Sequence, residues 1–161
     1  MPEAGQGSWR AQTTLVDDAA TARLGALVAG ALAPGDMIGL AGGLGAGKTA
    51  LARAIIRHLA AAPIEVPSPT FTLVQEYREL PVPVLHYDLY RIDTAGDLAA
   101  IGLEEPDPGA AHLVEWPEKA ESLIPPNALL VRLEIDRTGR RAEITGRDDW
   151  RTRLGALPER I

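Results

Sequence analysis

The stretch Gly42-Gly43-Leu44-Gly45-Ala46-Gly47-Lys48-Thr49 decides the fold, since it fits the pattern G-x-x-x-x-G-K-[ST] of a phosphate-binding loop, the P-loop or Walker A motif. Residues 37–41 before it form a short apolar run that predicts a buried strand, and residues 50–61 after it predict a helix. In this arrangement the loop N–H groups and the helix N-terminus point at anionic oxygens. The flanking strand and helix favour a nucleotide site over a glycine-rich turn that matches by chance.

Two side chains of the loop carry the expected chemistry. Lys48 reaches the β- and γ-phosphates in this motif, and the Thr49 hydroxyl ligates Mg²⁺. Only two of the 16 basic residues are lysines, Lys48 and Lys119. A chain that prefers arginine therefore keeps a compact ammonium where a point charge on phosphate is wanted. The predicted nucleotide-binding residues of the loop are Gly42, Gly43, Leu44, Gly45, Ala46, Gly47, Lys48 and Thr49.

Length and composition are typical of one globular domain. The chain has 161 residues, of which 46% are hydrophobic and 24% charged, so we expect a single domain over residues 1–161 with one core. The absence of cysteine excludes disulfides, thiolate zinc sites and a cysteine nucleophile, and it fits a reducing compartment. No apolar stretch is long enough to span a membrane, and the N-terminus lacks a signal-peptide core. We therefore expect a cytoplasmic protein without a membrane partner.

The charge is unevenly distributed along the chain. A net charge of −6 argues against binding nucleic acid by bulk electrostatics. Residues 1–120 carry 8 basic and 15 acidic side chains, whereas residues 121–161 carry 8 and 7. The arginines of this basic C-terminal part include Arg137, Arg140, Arg141, Arg147, Arg151 and Arg153. They are interpreted either as a solvated surface or as a contact with phosphate.

The remaining segments alternate between strand and helix patterns. Strands are predicted at residues 12–16, 70–77, 83–87, 111–116, 129–135 and 141–145, and helices at residues 19–31, 94–101, 117–123 and 150–157. Residues 1–11 are expected to be disordered. Because both βα units and tight hairpins occur, we predict an α/β fold in which a central parallel sheet is joined by antiparallel strands.

Two carboxylates follow predicted buried strands. Glu115 ends the apolar run 112–115, and Asp88 follows the run 84–87 in the same way. A nucleotide loop needs acidic partners for magnesium and for positioning water, and these sit at the ends of neighbouring strands. Both residues are predicted to take part in the chemistry, and the alternative is that they are surface carboxylates at strand ends.

The hydroxyl-rich segment after the loop helix has two interpretations. Ser68, Thr70 and Thr72 lie beside two prolines, and they either contact the γ-phosphate and attacking water or only start a strand. Of the three histidines, His58 is predicted to be a surface residue, and the other two are interpreted as structural because they lie in apolar strands. The histidines do not form a metal-binding cluster in the sequence.

Four ordered motifs resemble those of the TsaE (YjeE) family, the small bacterial P-loop ATPases of tRNA threonylcarbamoyladenosine synthesis. They are LGAGKT at residues 44–49, SPTFTLV at 68–74, HYDLYR at 86–91 and VEWP at 114–117. Together they lie within residues 35–117, about half of the chain, and the hairpin at residues 135–144 is compatible with the family. This combination is far more specific than the P-loop alone.

The resemblance implies a three-layer P-loop NTPase-like fold, binding of ATP and Mg²⁺, and slow hydrolysis stimulated by a TsaB–TsaD partner complex that the ATPase resets between rounds. Contact with tRNA is then indirect, through the complex. By matching positions, Lys48, Asp88 and Glu115 are the catalytic residues, with Thr49 and Glu115 at the metal and Asp88 positioning water. The switch segment 68–72 contributes Thr70 to the nucleotide, and the further nucleotide contacts are Asp18 and Arg140.

One position departs from the family pattern. The family commonly has an acidic residue where this chain has Gly43. The phosphate cradle is expected to survive, since its N–H groups come from the backbone, but any bond made by the missing carboxylate is lost and the loop becomes more flexible.

Two other functions are compatible with the same loop. A small-molecule kinase needs an acceptor pocket and an Arg-bearing lid, for which the segment between residues 102 and 111 is short. A non-catalytic adaptor would bind ATP only in order to dock on a partner. The only candidate for an arginine finger is Arg91, so slow turnover without a partner is expected.

Overall fold

One seven-stranded sheet runs through residues 8–161, the part of the chain that the structure, a computed structural model, describes. The strands are β1 (Ser8–Leu15), β2 (Met37–Ala41), β3 (Val74–Tyr77), β4 (Val84–Asp88), β5 (Ala111–Glu115), β6 (Leu129–Asp136) and β7 (Gly139–Arg147). The helices are α1 (Asp18–Ala31), α2 (Lys48–Ala60), α3 (Ala95–Ala100) and α4 (Asp148–Leu154), with a 3₁₀ helix at Pro117–Leu123.

The centre of the sheet is parallel. The strand order is β1-β7-β6-β2-β5-β4-β3, in which β2 pairs in parallel with β5 and β6, and β4 pairs in parallel with β5. Strands β2, β4 and β5 are buried at every position, as expected for strands covered on both faces. Their carboxyl ends lie at one edge, where Asp88 is the register partner of Glu115. The loop that follows β2 begins at this same edge.

Antiparallel strands flank the parallel centre on both sides. Strand β7 pairs antiparallel with β1 and β6, and β3 pairs antiparallel with β4. Burial along the middle of β7 alternates, so one face of this part of the sheet meets the core and the other meets solvent. The predicted α/β fold, with a central parallel sheet flanked by antiparallel strands, is confirmed.

Apolar clusters cover the two faces of the sheet. The first cluster includes Ile55 of α2 and Trp150 of α4, and the second includes Ala120 of the 3₁₀ helix. The adjacent residues Leu129 and Leu130 of β6 belong to different clusters, and successive side chains of a strand point to opposite faces. The sheet is therefore the middle layer of three.

The structure differs from the sequence predictions at two segments. Strand β3 begins at Val74, not at residue 70, because the Leu73 N–H donates to the Pro69 carbonyl at 2.7 Å and Leu73 has a left-handed φ of 65°. Strand β1 begins at Ser8, which pairs with Arg147, so the expected disorder is wrong for residues 8–11. Residues 1–7 lie outside the described residues. The other predicted elements are present, with ends shifted by a few residues at most.

Candidate active site

The glycine-rich loop between β2 and α2 has a backbone that only glycine adopts readily. Gly42 has a φ of +140°, and a Cβ on it would lie 2.4 Å from the carbonyl oxygen of Leu133. Gly47 directly precedes α2 with a φ of +107°. These angles lie in the region that L side chains rarely adopt. The loop therefore turns tightly against β6 and brings its chain to the first turn of α2.

Gly43 differs from Gly42 in its surroundings. A Cβ built on Gly43 meets nothing within 4 Å, and its φ lies outside the left-handed region. The structure therefore has room for the acidic side chain that the family resemblance leads one to expect at this position. The glycine here is required neither by space nor by backbone conformation.

Lys48 is held by the loop that it follows. Its ammonium donates to the carbonyl oxygens of Gly42 at 2.8 Å and Gly43 at 2.7 Å, and it lies 4.1 Å from the centre of a Trp116 ring. Burial lowers the pKa of Lys48, and the negative charge of Glu115 opposes that shift. The carbonyl dipoles and the aromatic face thus hold a cation at the mouth of the loop.

Glu115 is buried, and each of its carboxylate oxygens has a partner. Only 2% of the residue is exposed. Oε1 accepts a hydrogen bond from the Thr49 hydroxyl at 2.7 Å, and Oε2 lies 2.6 Å from Nε2 of His86. A buried carboxylate is costly unless it is paired, and these two partners offset that cost. The interpretation of Glu115 as a surface carboxylate is wrong.

Asp88 is also buried, at 6% exposure, and it joins the hydroxyl-rich segment to β4. Oδ1 accepts from the backbone N–H of Tyr90 at 3.0 Å, and Oδ2 accepts from the Thr70 hydroxyl at 3.3 Å. The Thr70 and Ser68 hydroxyls lie 2.7 Å apart. A chain of hydrogen bonds therefore runs from Ser68 to a strand-end carboxylate, and a surface location for Asp88 is likewise wrong.

One cleft of about 360 Å³ brings these groups together. The predicted site residues that line it are Leu44, Gly45, Gly47, Lys48, Thr49, Thr70, Asp88 and Glu115. Gly42, Gly43 and Ala46 do not line it, and Ala46 is only 3% exposed because it packs into the core. The cleft therefore combines an ammonium and a hydroxyl from the start of α2, hydroxyls from the segment before β3, and carboxylates from the ends of β4 and β5.

Comparison with known proteins decides the family. The family model of threonylcarbamoyl adenosine biosynthesis protein TsaE matches residues 15–143. The chain belongs to the TsaE family. This membership confirms the resemblance of the four motifs and gives the chain a role in threonylcarbamoyladenosine biosynthesis.

Individual TsaE proteins match over most of their length. The proteins named tRNA threonylcarbamoyladenosine biosynthesis protein TsaE include one from Rickettsia felis, 39% identical over 71% of this chain and 67% of its own. The one from Bacillus subtilis is 35% identical over 83% of this chain and 80% of its own. The crystal structure of Bacillus subtilis YdiB superposes with a TM-score of 0.70 at 25% identity, covering 91% of this chain and 90% of that one. This similarity supports the same fold.

Asp18 and Arg140 lie near the TsaE loop but outside the cleft. Arg140 packs against Gly47, where an added Cβ would be 3.0 Å from its Nε. An Arg140 guanidinium nitrogen is 3.9 Å from an Asp18 oxygen, and Nε is buried without a hydrogen-bond partner among residues 8–161. The two side chains thus lie close to each other, with Arg140 against the loop, and their contact with nucleotide stays a prediction.

Most of the C-terminal arginine contacts that the structure records are with acidic neighbours. Arg141 pairs with Glu134 at 2.6 Å, and Arg153 pairs with Asp36 and Asp149. These contacts favour the interpretation of the basic C-terminal part as a solvated, internally paired surface. His58 is exposed on α2, as predicted.

A hydroxyl beside a carboxylate, as at Thr49 and Glu115, suits Mg²⁺ in a TsaE protein. Magnesium keeps several waters and is bound by one or two protein groups together with phosphates. Within residues 8–161 there is no group of three or more His, Cys, Asp and Glu side chains that could cage a metal without such help. The residues present therefore fit magnesium that arrives with a nucleotide.

Two residues of the site have partners that the sequence does not indicate. The interpretation of His86 as structural names no partner, and the structure places its Nε2 2.6 Å from the Glu115 carboxylate. Trp116 has a left-handed φ of 61° and lies under the Lys48 ammonium. The alternation of side chains along β4 was the available indication for His86, since it places His86 and Asp88 on the same face.

The structure gives one finding on membranes. Across the described part of the chain, no helix is both long enough and apolar enough to cross a bilayer.

Proposed function

We propose that this TsaE protein is a Mg²⁺-dependent ATPase that serves the threonylcarbamoylation of tRNA adenosine next to the anticodon. The observation that carries the proposal is the meeting of Lys48, Thr49, Asp88 and Glu115 in one cleft at the mouth of a glycine-rich loop. Phosphoryl transfer requires mainly positioning and neutralisation of charge, which these groups supply.

The phosphate-binding part of the proposal rests on the loop and α2. The backbone of residues 42–47 and the N-terminus of α2 offer N–H groups to anionic oxygens. Lys48 exchanges its loop carbonyl contacts for phosphate oxygens when a nucleotide enters. Because the ammonium is already at the cleft, little rearrangement is needed.

The two carboxylates have different proposed roles, one at the metal and one at the attacking water. Thr49 and Glu115 would hold the magnesium, which neutralises phosphate charge when bound. The Thr49 hydroxyl can keep donating to Glu115 while its oxygen faces the metal, so Glu115 can act on the metal through Thr49 or water as well as directly. Asp88, held by Thr70, orients the attacking water. The candidate arginine finger Arg91 lines the cleft, with its guanidinium 5.0 Å from the centre of the exposed Phe71 ring. Catalysis without a partner is slow in this scheme, because this arginine is held by an exposed ring and not by phosphate.

Exposed apolar side chains near the cleft support a protein partner. Leu44 is 71% exposed and Phe71 is 83% exposed, and Leu44 lines the cleft itself. Phe71 lies against Arg91, which also lines the cleft, so both apolar side chains flank the same opening. Exposed apolar surface of this kind marks interaction sites. We propose that they contact a TsaB–TsaD-type complex, through which tRNA is reached indirectly, and that the setting is the cytoplasm, whose reducing conditions suit a chain without cysteine.

The test is titration calorimetry with ATP and Mg²⁺, followed by phosphate release with and without the TsaB–TsaD complex. Lys48→Ala should abolish binding or turnover, and Lys119→Ala, at the exposed second lysine, should leave both unchanged. Normal hydrolysis by Lys48→Ala in the partner complex would contradict the assigned role.

The same assay separates the two alternatives. A phosphorylated metabolite in place of free phosphate would indicate a small-molecule kinase. Against this, the segment between Gly102 and Ala111 is anchored at both ends by the buried Leu103 and Ala110, which leaves only six residues for a lid. ATP that remains intact after long incubation with the partner complex would indicate a non-catalytic adaptor.

A further inference from the structure

His86 is a buried polar residue with a single specific partner. Its exposure is 0%, and its Nε2 lies 2.6 Å from Oε2 of Glu115. The other ring nitrogen, Nδ1, is buried and has no hydrogen-bond partner in the described part of the chain. Because a carboxylate only accepts hydrogen bonds, Nε2 is the donor in this pair.

The location of His86 excludes direct contact with nucleotide. The residue lies inside β4, where every position is buried, and it does not line the cleft. Its register partner on β5 is Leu113, two residues before Glu115, so the imidazole lies on the same face of the sheet as the carboxylate and nearer the middle of the strands. His86 can therefore influence the cleft only through Glu115.

The two carboxylate oxygens of Glu115 have different hydrogen-bond partners. Oε2 is bound by His86 on the core side, and Oε1 receives the Thr49 hydroxyl on the cleft side. A carboxylate held at one oxygen cannot rotate freely about its terminal bond, so the direction in which the other oxygen points is fixed. That oxygen in turn orients the hydroxyl assigned to magnesium.

We propose that His86 is a positioning residue that fixes the Glu115 carboxylate and, through it, the metal-binding hydroxyl of Thr49. The inference rests on the proposed function, since it assumes that magnesium enters with a nucleotide. Hydrogen-bond donors behind metal-site ligands affect metal affinity or activity by about 10–100-fold. The competing explanation is that His86 only satisfies a buried carboxylate and contributes to folding.

Two variants at this position separate the explanations. His86→Gln can keep an N–H donor near the position of Nε2, whereas His86→Leu fills the space without a donor. His58→Gln is the matched control, since His58 is exposed on α2. Circular dichroism and thermal unfolding identify the variants that fold, and the comparison is made among those.

The main measurement is the ratio of nucleotide affinities with Mg²⁺ and with EDTA, obtained by calorimetry with ADP. We expect His86→Leu to reduce the magnesium enhancement by about 10-fold or more, with the affinity in EDTA within about 3-fold of the original. His86→Gln should recover most of the enhancement, and His58→Gln should not change it. An unchanged enhancement in His86→Leu, or an equal loss with and without magnesium, would overturn the proposal.

A second measurement needs no nucleotide or metal. In the metal-free protein labelled with ¹⁵N, the proton on Nε2 of His86 should give an exchange-protected NMR resonance that disappears in Glu115→Ala. Absence of that resonance would reject the hydrogen bond on which the positioning depends. A different result would separate the two proposals. If the resonance is present but the unsubstituted chain shows no magnesium-dependent binding of nucleotide, the proposed function is wrong. The metal-positioning role is then wrong too, although the hydrogen bond between His86 and Glu115 exists.

Discussion

The Thr49 hydroxyl and the Glu115 carboxylate are joined at 2.7 Å although 66 positions separate them in the chain. Strands β2 and β5 are parallel neighbours, and Leu40 of β2 is the register partner of Glu115. The tight loop after β2 then reverses the direction of the chain, and this places Thr49 in the first turn of α2 beside Glu115 at the end of β5. The pairing of two strands, rather than any local motif, thus creates the predicted magnesium site.

Glu115→Gln tests that relationship. The amide keeps the size of the side chain but removes the charge, so we expect partner-stimulated ATP turnover to fall about 100-fold. Nucleotide affinity in EDTA should stay within about 3-fold, since the loop and Lys48 are intact. The measurements are steady-state phosphate release and calorimetry, with Glu105→Gln, at an exposed position, as the control. Equal losses of affinity and turnover would contradict a role at the metal.

The two adjacent glycines of the loop should respond differently to substitution. Gly42→Ala places a Cβ 2.4 Å from a backbone carbonyl at a φ of +140°, so we expect a loss of stability of about 2 kcal/mol and loss of nucleotide binding. Gly43→Ala and Gly43→Glu meet open space and should change stability by less than about 0.5 kcal/mol. Urea denaturation and calorimetry check both expectations. A destabilised Gly43→Ala would show that the loop conformation is different from the one described.

The sequence predicted the parts of the site that depend on short-range patterns. The P-loop motif located Lys48 and Thr49, and the end of an apolar run located Asp88 and Glu115. The tightness of Gly42 against β6 could not be predicted, because it depends on where Leu133 lies after folding.

The partner of His86 and the start of β3 depend on contacts between distant parts of the chain, which the sequence does not indicate. An apolar strand around His86 indicates burial but not which carboxylate the imidazole meets, and that partner is fixed only by the pairing of β4 with β5. The strand predicted from residue 70 fails for a related reason. Threonine and phenylalanine favour strands, but Leu73 turns the chain so that Thr70 bonds to Asp88 in place of a neighbouring strand.

A buried histidine away from the cleft should make stability depend on pH. Nε2 of His112 lies 2.8 Å from the Asp107 carbonyl, which only accepts, so in the neutral ring Nε2 donates and Nδ1 is free to accept from the Tyr87 hydroxyl at 3.1 Å. Burial raises the pKa of Tyr87 to about 12, which keeps it a donor. Burial lowers the pKa of His112, while its bond to Asp107 opposes the shift. The neutral imidazole is therefore the form that fits the folded protein.

The sign of the pH effect follows from that lowered pKa. The unfolded chain binds a proton near pH 6.5, whereas the folded chain binds it only at lower pH. The stabilising contribution is therefore complete above pH 6.5 and is lost as the pH falls from there toward the pKa of the folded state. Urea denaturation between pH 8 and pH 5 should show a steeper loss for the original chain than for His112→Gln. Parallel curves would contradict the assignment.

Arg153 should contribute more to stability than the neighbouring surface arginine. Its guanidinium donates to the Ala31 carbonyl at the end of α1, pairs with Asp36, and lies 3.8 Å from the centre of a Trp150 ring. We expect Arg153→Ala to cost about 2 kcal/mol, because a charged donor with several acceptors is removed. Arg153→Lys should recover less than half, since it lacks the planar fork. Arg151→Ala, at an exposed position, should cost less than about 0.5 kcal/mol in urea denaturation.

Phe71 should govern association with the partner complex rather than binding of nucleotide. The residue is 83% exposed, so replacing it removes little packing within the chain, and its ring does not line the cleft. We expect Phe71→Ser to weaken binding to a TsaB–TsaD-type complex by at least about 10-fold, as for aromatic residues at interface centres. Phe71→Leu should lose less, because it keeps an apolar surface. Leu27→Ser on α1 serves as the control, with 40% exposure but a position away from the cleft.

Surface plasmon resonance gives the partner affinity and calorimetry gives the ATP affinity. If Phe71→Ser binds the partner normally, the exposed ring near the cleft is not part of the interface; if it loses ATP affinity as well, the segment 68–72 acts on the nucleotide before any partner arrives.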